Sequence, residues 1–255
     1  MIYGLYLSAQ GAEAQTLRQA VLANNMANAQ TTAFKRDIPL FRAHLPFDDA
    51  HQTAYDVPPG QSEQTGGVSL AGTVTDFAQG PLEVTHGELD LAILGSGFFE
   101  VQVGDERLLT RNGKLSLGPE NELVTEDQGF PVMDVAGQPI VVPDGVGQLA
   151  VAANGLISGV GLAGESIVLG QVGLVEPPDV SRLTKEGDSL YRSPVPVAPA
   201  VNAQLRQGVL EGSSTDPVHG MVELIETSRA FEMNMNLVRY QDEMLGQLIQ
   251  SVSRK

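Results

Sequence analysis

Apolar and small residues recur along the first thirty positions at Ile2, Leu5, Ala9, Ala12, Thr16, Ala20, Ala23 and Ala27. Steps of three and four keep them on one stripe, so the pattern predicts an amphipathic helix. Gly11 is its weak point, and no proline occurs before Pro39. The run closes on Asn28-Ala29-Gln30-Thr31-Thr32, where polar side chains can take the last carbonyls or begin a turn. The other end behaves alike. Ser213-Ser214-Thr215-Asp216-Pro217 reads as a helix start, with oxygen-bearing caps followed by proline at or near the first turn. Val218, Met221, Ile225, Ser228, Phe231, Met235, Val238, Leu245, Ile249 and Val252 then continue a helical pattern. A helix of roughly 35 residues spans about 50 Å, too long for a lone surface helix on a small domain, and suggests a coiled-coil seam.

Between these helices the period falls to that of strands. Leu89–Ile93, Phe98–Val103, Leu108–Thr110, Lys114–Leu117, Ile140–Val142, Leu149–Ala152 and Ile167–Val175 are short β-runs. Gly95-Ser96-Gly97, Asn112-Gly113, Asp144-Gly145 and Asn154-Gly155 punctuate them as turns. Strands at this spacing with no helix among them predict an antiparallel all-β domain. Pro46, Pro58-Pro59-Gly60 and Gly66-Gly67 mark one extended connector, and Pro194, Pro196 and Pro199 a second. The expected class is therefore α+β: paired long terminal helices around a central, mainly antiparallel β domain. The divisions are 1–36 (N-terminal helix), 37–75 (extended linker), 76–205 (β domain) and 206–255 (C-terminal helix pairing with the first). Each helical stripe alone would leave a long apolar ribbon in water, which a monomer rarely tolerates. Burial by the other terminus and by neighbouring copies removes it, which is the condition of a polymer subunit.

Charge sharpens this layout. The 255 residues carry a formal net charge of −16. Residues 1–36 hold three basic residues against one acidic, and residues 210–255 four against seven, so residues 37–209 carry almost all of the excess. A field of that sign disfavours nucleic acid and anionic lipid. There is no cysteine, which removes disulfides, thiolate metal sites and a cysteine nucleophile. The first basic residue is Arg18, so Ile2–Ala9 lacks the positive flank of a cleaved signal peptide, and no apolar run is long enough for direct membrane insertion.

Candidate chemistry is thin. Gly159, Gly161 and Gly164 spell the letters of a dinucleotide fingerprint, but a β-run follows where a helix is needed, so a β-loop is expected. His44 and His51 flank Asp48-Asp49 within a proline-rich connector that offers no rigid ligand spacing. Asp105-Glu106, Glu126-Asp127 and Asp242-Glu243 sit where adjacent side chains diverge and read as solvated surface. No catalytic, cofactor-binding or metal residue is assigned, no cofactor is expected, and the chain is not read as an enzyme. Met221, Met233, Met235 and Met244 at helical spacing serve as core filler or as a partner seam. Asn24, Asn25 and Asn28 are unusual in one helix. They mark either a fraying end or polar contacts that fix register between neighbours.

Three ordered segments carry a resemblance. Asn24-Asn25-Met26-Ala27-Asn28 with Thr31-Thr32-Ala33-Phe34-Lys35 is similar to the N-terminal signature of flagellar rod and hook proteins. Leu89-Asp90-Leu91-Ala92-Ile93, Gly95-Ser96-Gly97-Phe98-Phe99 and Thr110-Arg111-Asn112-Gly113 resemble the same family's middle domain. Glu211-Gly212-Ser213-Ser214, Val222-Glu223-Leu224-Ile225, Arg229-Ala230-Phe231-Glu232 and Asp242-Glu243-Met244-Leu245 resemble its C-terminus. The family usually has glycine where Ala33 sits; if that glycine has a positive φ, Ala33 takes another conformation or accepts strain.

The resemblance implies a structural subunit of the bacterial flagellar basal-body rod, of the proximal type in preference to the distal. The terminal helices would build a tubular drive shaft that transmits torque. It also implies a periplasmic location and export through the flagellar type III apparatus without signal cleavage. Expected partners are further copies and other rod and hook proteins. The expected subunit interface is Leu5, Ala9, Ala20, Asn24, Asn25, Asn28, Phe34, Met221, Ile225, Phe231, Met235, Val238, Leu245 and Ile249. The alternative is a secreted adhesin or carbohydrate-binding β module with helical oligomerisation arms. Against it stand the absence of tryptophan and an aromatic content of only 5%.

Overall fold

The computed structural model describes residues 2–43, 67–161 and 165–253. The class is α+β. One long helix stands at each end of the chain and antiparallel strands fill the middle. Packing divides the chain into two compact units, one of residues 1–27, 37–75 and 216–255 and the other of residues 28–36 and 76–215.

The first unit holds helix α1 (Ile2–Ala27) and helix α2 (Pro217–Ser253, 37 residues). Helix α2 starts where the sequence placed it. Asp216 is its cap, and its Oδ1 accepts the amides of Val218 (2.9 Å) and His219 (3.3 Å). The same unit contains a feature missed at the level of sequence. Strands β1 (Asp37–Ala43) and β2 (Val68–Thr75) form an antiparallel hairpin within the stretch expected as linker. A bulge between Leu40 and Phe41 shifts its register. Glycines and prolines masked the β-period there. The histidines His44 and His51 and the pair Asp48-Asp49 lie outside the described residues.

The second unit is built on a six-stranded antiparallel sheet. Its strands are β5 (Phe98–Val103), β6 (Glu106–Thr110), β12 (Leu174–Glu176), β13 (Thr184–Gly187), β14 (Leu190–Arg192) and β15 (Ala198–Pro199). Their order is β13-β14-β6-β5-β12-β15. A three-stranded sheet joins β9 (Leu149–Val151), β10 (Leu156–Val160) and β11 (Ser166–Gln171). Smaller pairs join β3 (Leu82–Val84) to β17 (Val209–Glu211), β4 (Leu91–Leu94) to β16 (Gln204–Gln207), and β7 (Leu115–Leu117) to β8 (Leu123–Thr125).

Phe98–Val103 has the expected bounds, whereas the run Ile167–Val175 breaks into β11 and β12. The reason is Gly173, whose α-carbon lies so close to the Asp134 carbonyl that a Cβ would sit 2.6 Å from it. Ile140–Val142 contributes one isolated bridge, Val141 to Glu122, and no strand. The core is one hydrophobic cluster that includes Leu91, Ile93, Phe99, Val101, Leu123, Val132 and Ile157. Each such side chain contributes about 1.5–3 kcal/mol by leaving water. Phe77, Phe98 and Tyr191 meet edge to face beside it, at 5.1–6.0 Å. Gly159 lies in β10 and the next described element is β11, a strand.

Candidate functional site: a buried clamp and two outward helix faces

Two arrangements account for the residues singled out from sequence. The first lies within the β-rich unit. Residues 28–36 follow directly on α1, and residues 212–215 lead directly into α2. These two segments run side by side. The Ala33 amide donates to the Glu211 carbonyl (2.8 Å), and the Ser214 amide to that of Phe34 (2.9 Å). The Arg36 amide donates to Ser214 Oγ (2.9 Å).

Beneath them Lys35 Nζ meets Glu211 Oε1 at 2.5 Å, and both side chains are 0% exposed. Lys35 also donates to the Ala78 carbonyl (2.7 Å), and the Gly80 amide donates to Glu211 Oε1 (2.9 Å). Arg111 completes the cluster. Its Nε stands 3.8 Å from Glu211 Oε2 and donates to the Gly97 carbonyl (3.0 Å), while its Nη2 donates to the Gly95 carbonyl. Lys185 closes the outside by donating to the Lys35 carbonyl (2.6 Å), with its ammonium over the Phe34 ring. Burial holds the Lys35 ammonium below its ordinary range, against the opposing pull of the Glu211 carboxylate.

Thus Thr31–Lys35, Gly95–Gly97 with Arg111, and Glu211–Ser214, three segments far apart in sequence, build one clamp. Its chemistry is charge neutralisation without access for a substrate. Ala33 belongs to it. With φ at 55° and no exposed surface, the residue keeps the left-handed conformation. The strain considered at this position is therefore real and costs about 1 kcal/mol.

The second arrangement is the helix pair. Cβ atoms added at Gly4 and Gly11 would lie 3.1 Å from Gln241 Nε2 and 3.0 Å from Asn234 Oδ1, and one at Gly220 would meet Met26. Residue numbers rise on α1 as they fall on α2, so the helices pack antiparallel. The seam positions Gly4 and Gly11, like Thr227, Asn234 and Gln241, are seven residues apart. The buried positions mix small, polar and apolar residues: Ala12, Ala14 and Leu22 of α1 are buried, as are Ser8 and Thr227, and the Thr227 hydroxyl donates to the Glu223 carbonyl (2.7 Å).

This differs from the stripe read along α1. Ala9, Thr16, Ala20, Ala23 and Ala27 are exposed, and the seam uses the neighbouring face. Glycine and serine there let α2 approach more closely than alanine would. Phe231, Met235, Val238 and Leu245 are half-buried toward the pair, as is Leu5, while Met221, Ile225 and Ile249 are exposed. Of the asparagines, Asn25 is buried and bonds the Asp37 backbone through both amide atoms (2.8 and 2.9 Å). Asn28 accepts from the Thr31 hydroxyl (3.2 Å), and Asn24 is exposed. Phe34 is buried in the clamp. Opposite the seam, Val222, Ile225, Met233, Leu237, Tyr240 and Met244 form a large exposed apolar strip along α2.

Acidic pairs considered as catalytic face separate partners. Glu106 meets Arg192 (2.6 Å), Glu126 meets Lys114 (3.2 Å), and Asp127 accepts from Asn112 (3.2 Å). Among the described residues no helix is long and apolar enough to cross a membrane.

Comparison with known proteins matches both regions. A sequence model for the flagellar basal body rod FlgEFG protein C-terminal region matches residues 206–251, and one for the flagellar hook protein FlgE/F/G D1 domain matches residues 92–159. The chain is 38% identical over 221 residues to flagellar basal-body rod protein FlgF of Caulobacter vibrioides, with 85% of each chain covered. It is 32% identical over 270 residues to flagellar basal-body rod protein FlgG of Buchnera aphidicola, covering 98% of this chain and 100% of the other. It is also 32% identical over 266 residues to flagellar basal-body rod protein FlgF of Salmonella typhimurium, covering 99% of both.

Proposed function

The chain belongs to the flagellar basal-body rod and hook protein family, and we propose that it is a structural subunit of the rod that polymerises through its terminal helices. The observation that carries this reading is the exposed apolar strip on α2, beside a seam already closed by α1. Such a strip is a cost in a monomer and a driving force in an assembly.

In this reading the helices complete a coiled-coil-like packing only with neighbours. The neighbours are further copies and other rod and hook components, and the sum of many such contacts makes a shaft stiff enough to transmit torque. Within the β-rich unit the clamp holds the segment that follows α1 against the segment that precedes α2. Two helices whose outer faces lack partners gain little against their ordering entropy before assembly, which suits export of an unfolded chain through the flagellar type III apparatus. The acidic β-rich unit keeps free subunits soluble in the periplasm. The sequence resemblance supports a proximal place in the rod. The same family membership supports a non-enzymatic role, and Phe98 and Tyr191 are buried in the core, away from any sugar-stacking surface.

Deleting the gene and imaging basal bodies tests the reading. A rod that is absent or cut short, and restored by the wild-type chain, is the expected result. Full-length rods in the deletion strain would refute it.

A further inference from the structure

Resting on the rod reading, we propose that Met221, Met233 and Met244 of α2 are reversible oxidation sites, through which a peroxide holds the free chain out of the polymer. Three observations carry this.

The first is where the sulfur lies. The chain has seven methionines, no cysteine and no tryptophan, so thioethers are its most readily oxidised side chains. Four of the seven stand in α2, a single helix of 37 residues. Met133, by contrast, is sealed in the β-rich unit at 2% exposure.

The second is exposure. Methionine ranks among the residues most often fully buried. Met221, Met233 and Met244 are 52%, 62% and 49% exposed, so an oxidant in solution reaches these side chains without any unfolding.

The third is spacing. Ile225, Leu237 and Leu248 follow the three methionines by four residues each, and all three are exposed as well. Residues four apart on a helix share a face, so each thioether adjoins an exposed aliphatic side chain. Met233 and Met244 are part of the apolar strip, and Met221 stands at its N-terminal end beside Val222. An oxygen added to any of them falls on the surface that drives assembly. Leucine would supply similar apolar area there, whereas a thioether adds a polarity that can be switched.

The step needs only a peroxide as co-reactant. A sulfur lone pair attacks one peroxide oxygen, the S–O bond forms and the O–O bond breaks. The leaving hydroxide takes the proton of the transferred hydroxyl and departs as water. Sulfur is thereby oxidised by two electrons and the peroxide reduced. The sulfoxide is polar, and burying it in an interface without a donor is unfavourable. A methionine sulfoxide reductase reverses the change: two thiols become a disulfide and the oxygen leaves as water. In a polymer the strip is covered, so the modification acts on the free chain.

Hydrogen peroxide treatment of the folded full chain, followed by peptide mass mapping and sedimentation velocity over a concentration series, tests it. Met221, Met233 and Met244 gain oxygen about tenfold faster than Met133. The oxidised chain keeps its helix content by circular dichroism and polymerises only at about tenfold higher concentration. Methionine sulfoxide reductase with a thiol returns that concentration to within about twofold of the untreated value. Replacing all three methionines by leucine conserves volume and helix propensity, so the triple variant assembles as wild type does and ignores peroxide. Assembly of the oxidised chain at the untreated concentration, a loss that the reductase does not reverse, or a leucine variant as sensitive to peroxide as wild type would overturn the switch and leave the rod reading standing. An untreated chain that stays monomeric at every concentration would overturn both.

Discussion

Substituting Lys35 by methionine isolates the energetics of the clamp. Methionine keeps the length of the stem and removes the ammonium. Glu211 would then keep a carboxylate with no exposed surface, held by the Gly80 amide at 2.9 Å and by Arg111 Nε only at 3.8 Å. Breaking a buried pair from one side typically costs about 3–5 kcal/mol, because the surviving charge is stranded in a poorly polarisable interior. An exposed pair such as Arg192–Glu106 is screened by solvent and would change stability far less on the same treatment. For a unit of roughly 150 residues, a loss of about 4 kcal/mol lowers the unfolding midpoint by about 8–16 °C.

Urea and thermal unfolding followed by circular dichroism measure this. The double variant Lys35→Met with Glu211→Leu strands no charge between these two positions, and it should recover part of the loss. If the single variant costs under about 1 kcal/mol, the pair is solvated in solution and the clamp is not the tie it is taken to be.

Three further outcomes follow from the same geometry. Because the folded chain releases the Lys35 proton at a lower pH than the unfolded chain, this group's contribution rises with pH up to its ordinary 10.5 and is lost as pH falls through the lowered value. Wild type should therefore gain stability relative to Lys35→Met across that alkaline window, and parallel curves would contradict the assignment. Gly113→Ala should destabilise the β-rich unit by about 3 kcal/mol or more in urea unfolding, since the added Cβ would lie 1.7 Å from the Leu91 carbonyl oxygen, a backbone atom with no room to yield. Ile225→Asp, at a side chain 54% exposed, should block polymer formation in sedimentation yet leave the thermal unfolding of the β-rich unit unchanged. A sharp drop in that midpoint would place α2 in the domain core.

Local pattern alone determined the two helices, because a three-four spacing, an Asp-Pro start and a proline-free run each act within one turn of chain. It also marked several β5–β12 strands, whose turns carry glycine where the backbone must bend, whereas Thr31–Lys35, Arg111 and Glu211–Ser214 were linked only by their resemblance to one protein family. Tertiary structure decided the rest. That Lys35 and Glu211 form one ion pair rests on a chain separation of 176 residues, which no periodicity records. Which face of α1 meets α2 was decided by Gly4 and Gly11, whose missing Cβ atoms allow close approach, and only a partner helix in place makes that choice over the stripe of Ala9, Thr16, Ala20, Ala23 and Ala27 visible. The hairpin β1–β2 likewise gains its strands from pairing, since Ile38 and Val74 become neighbours across a connector whose composition reads as loop.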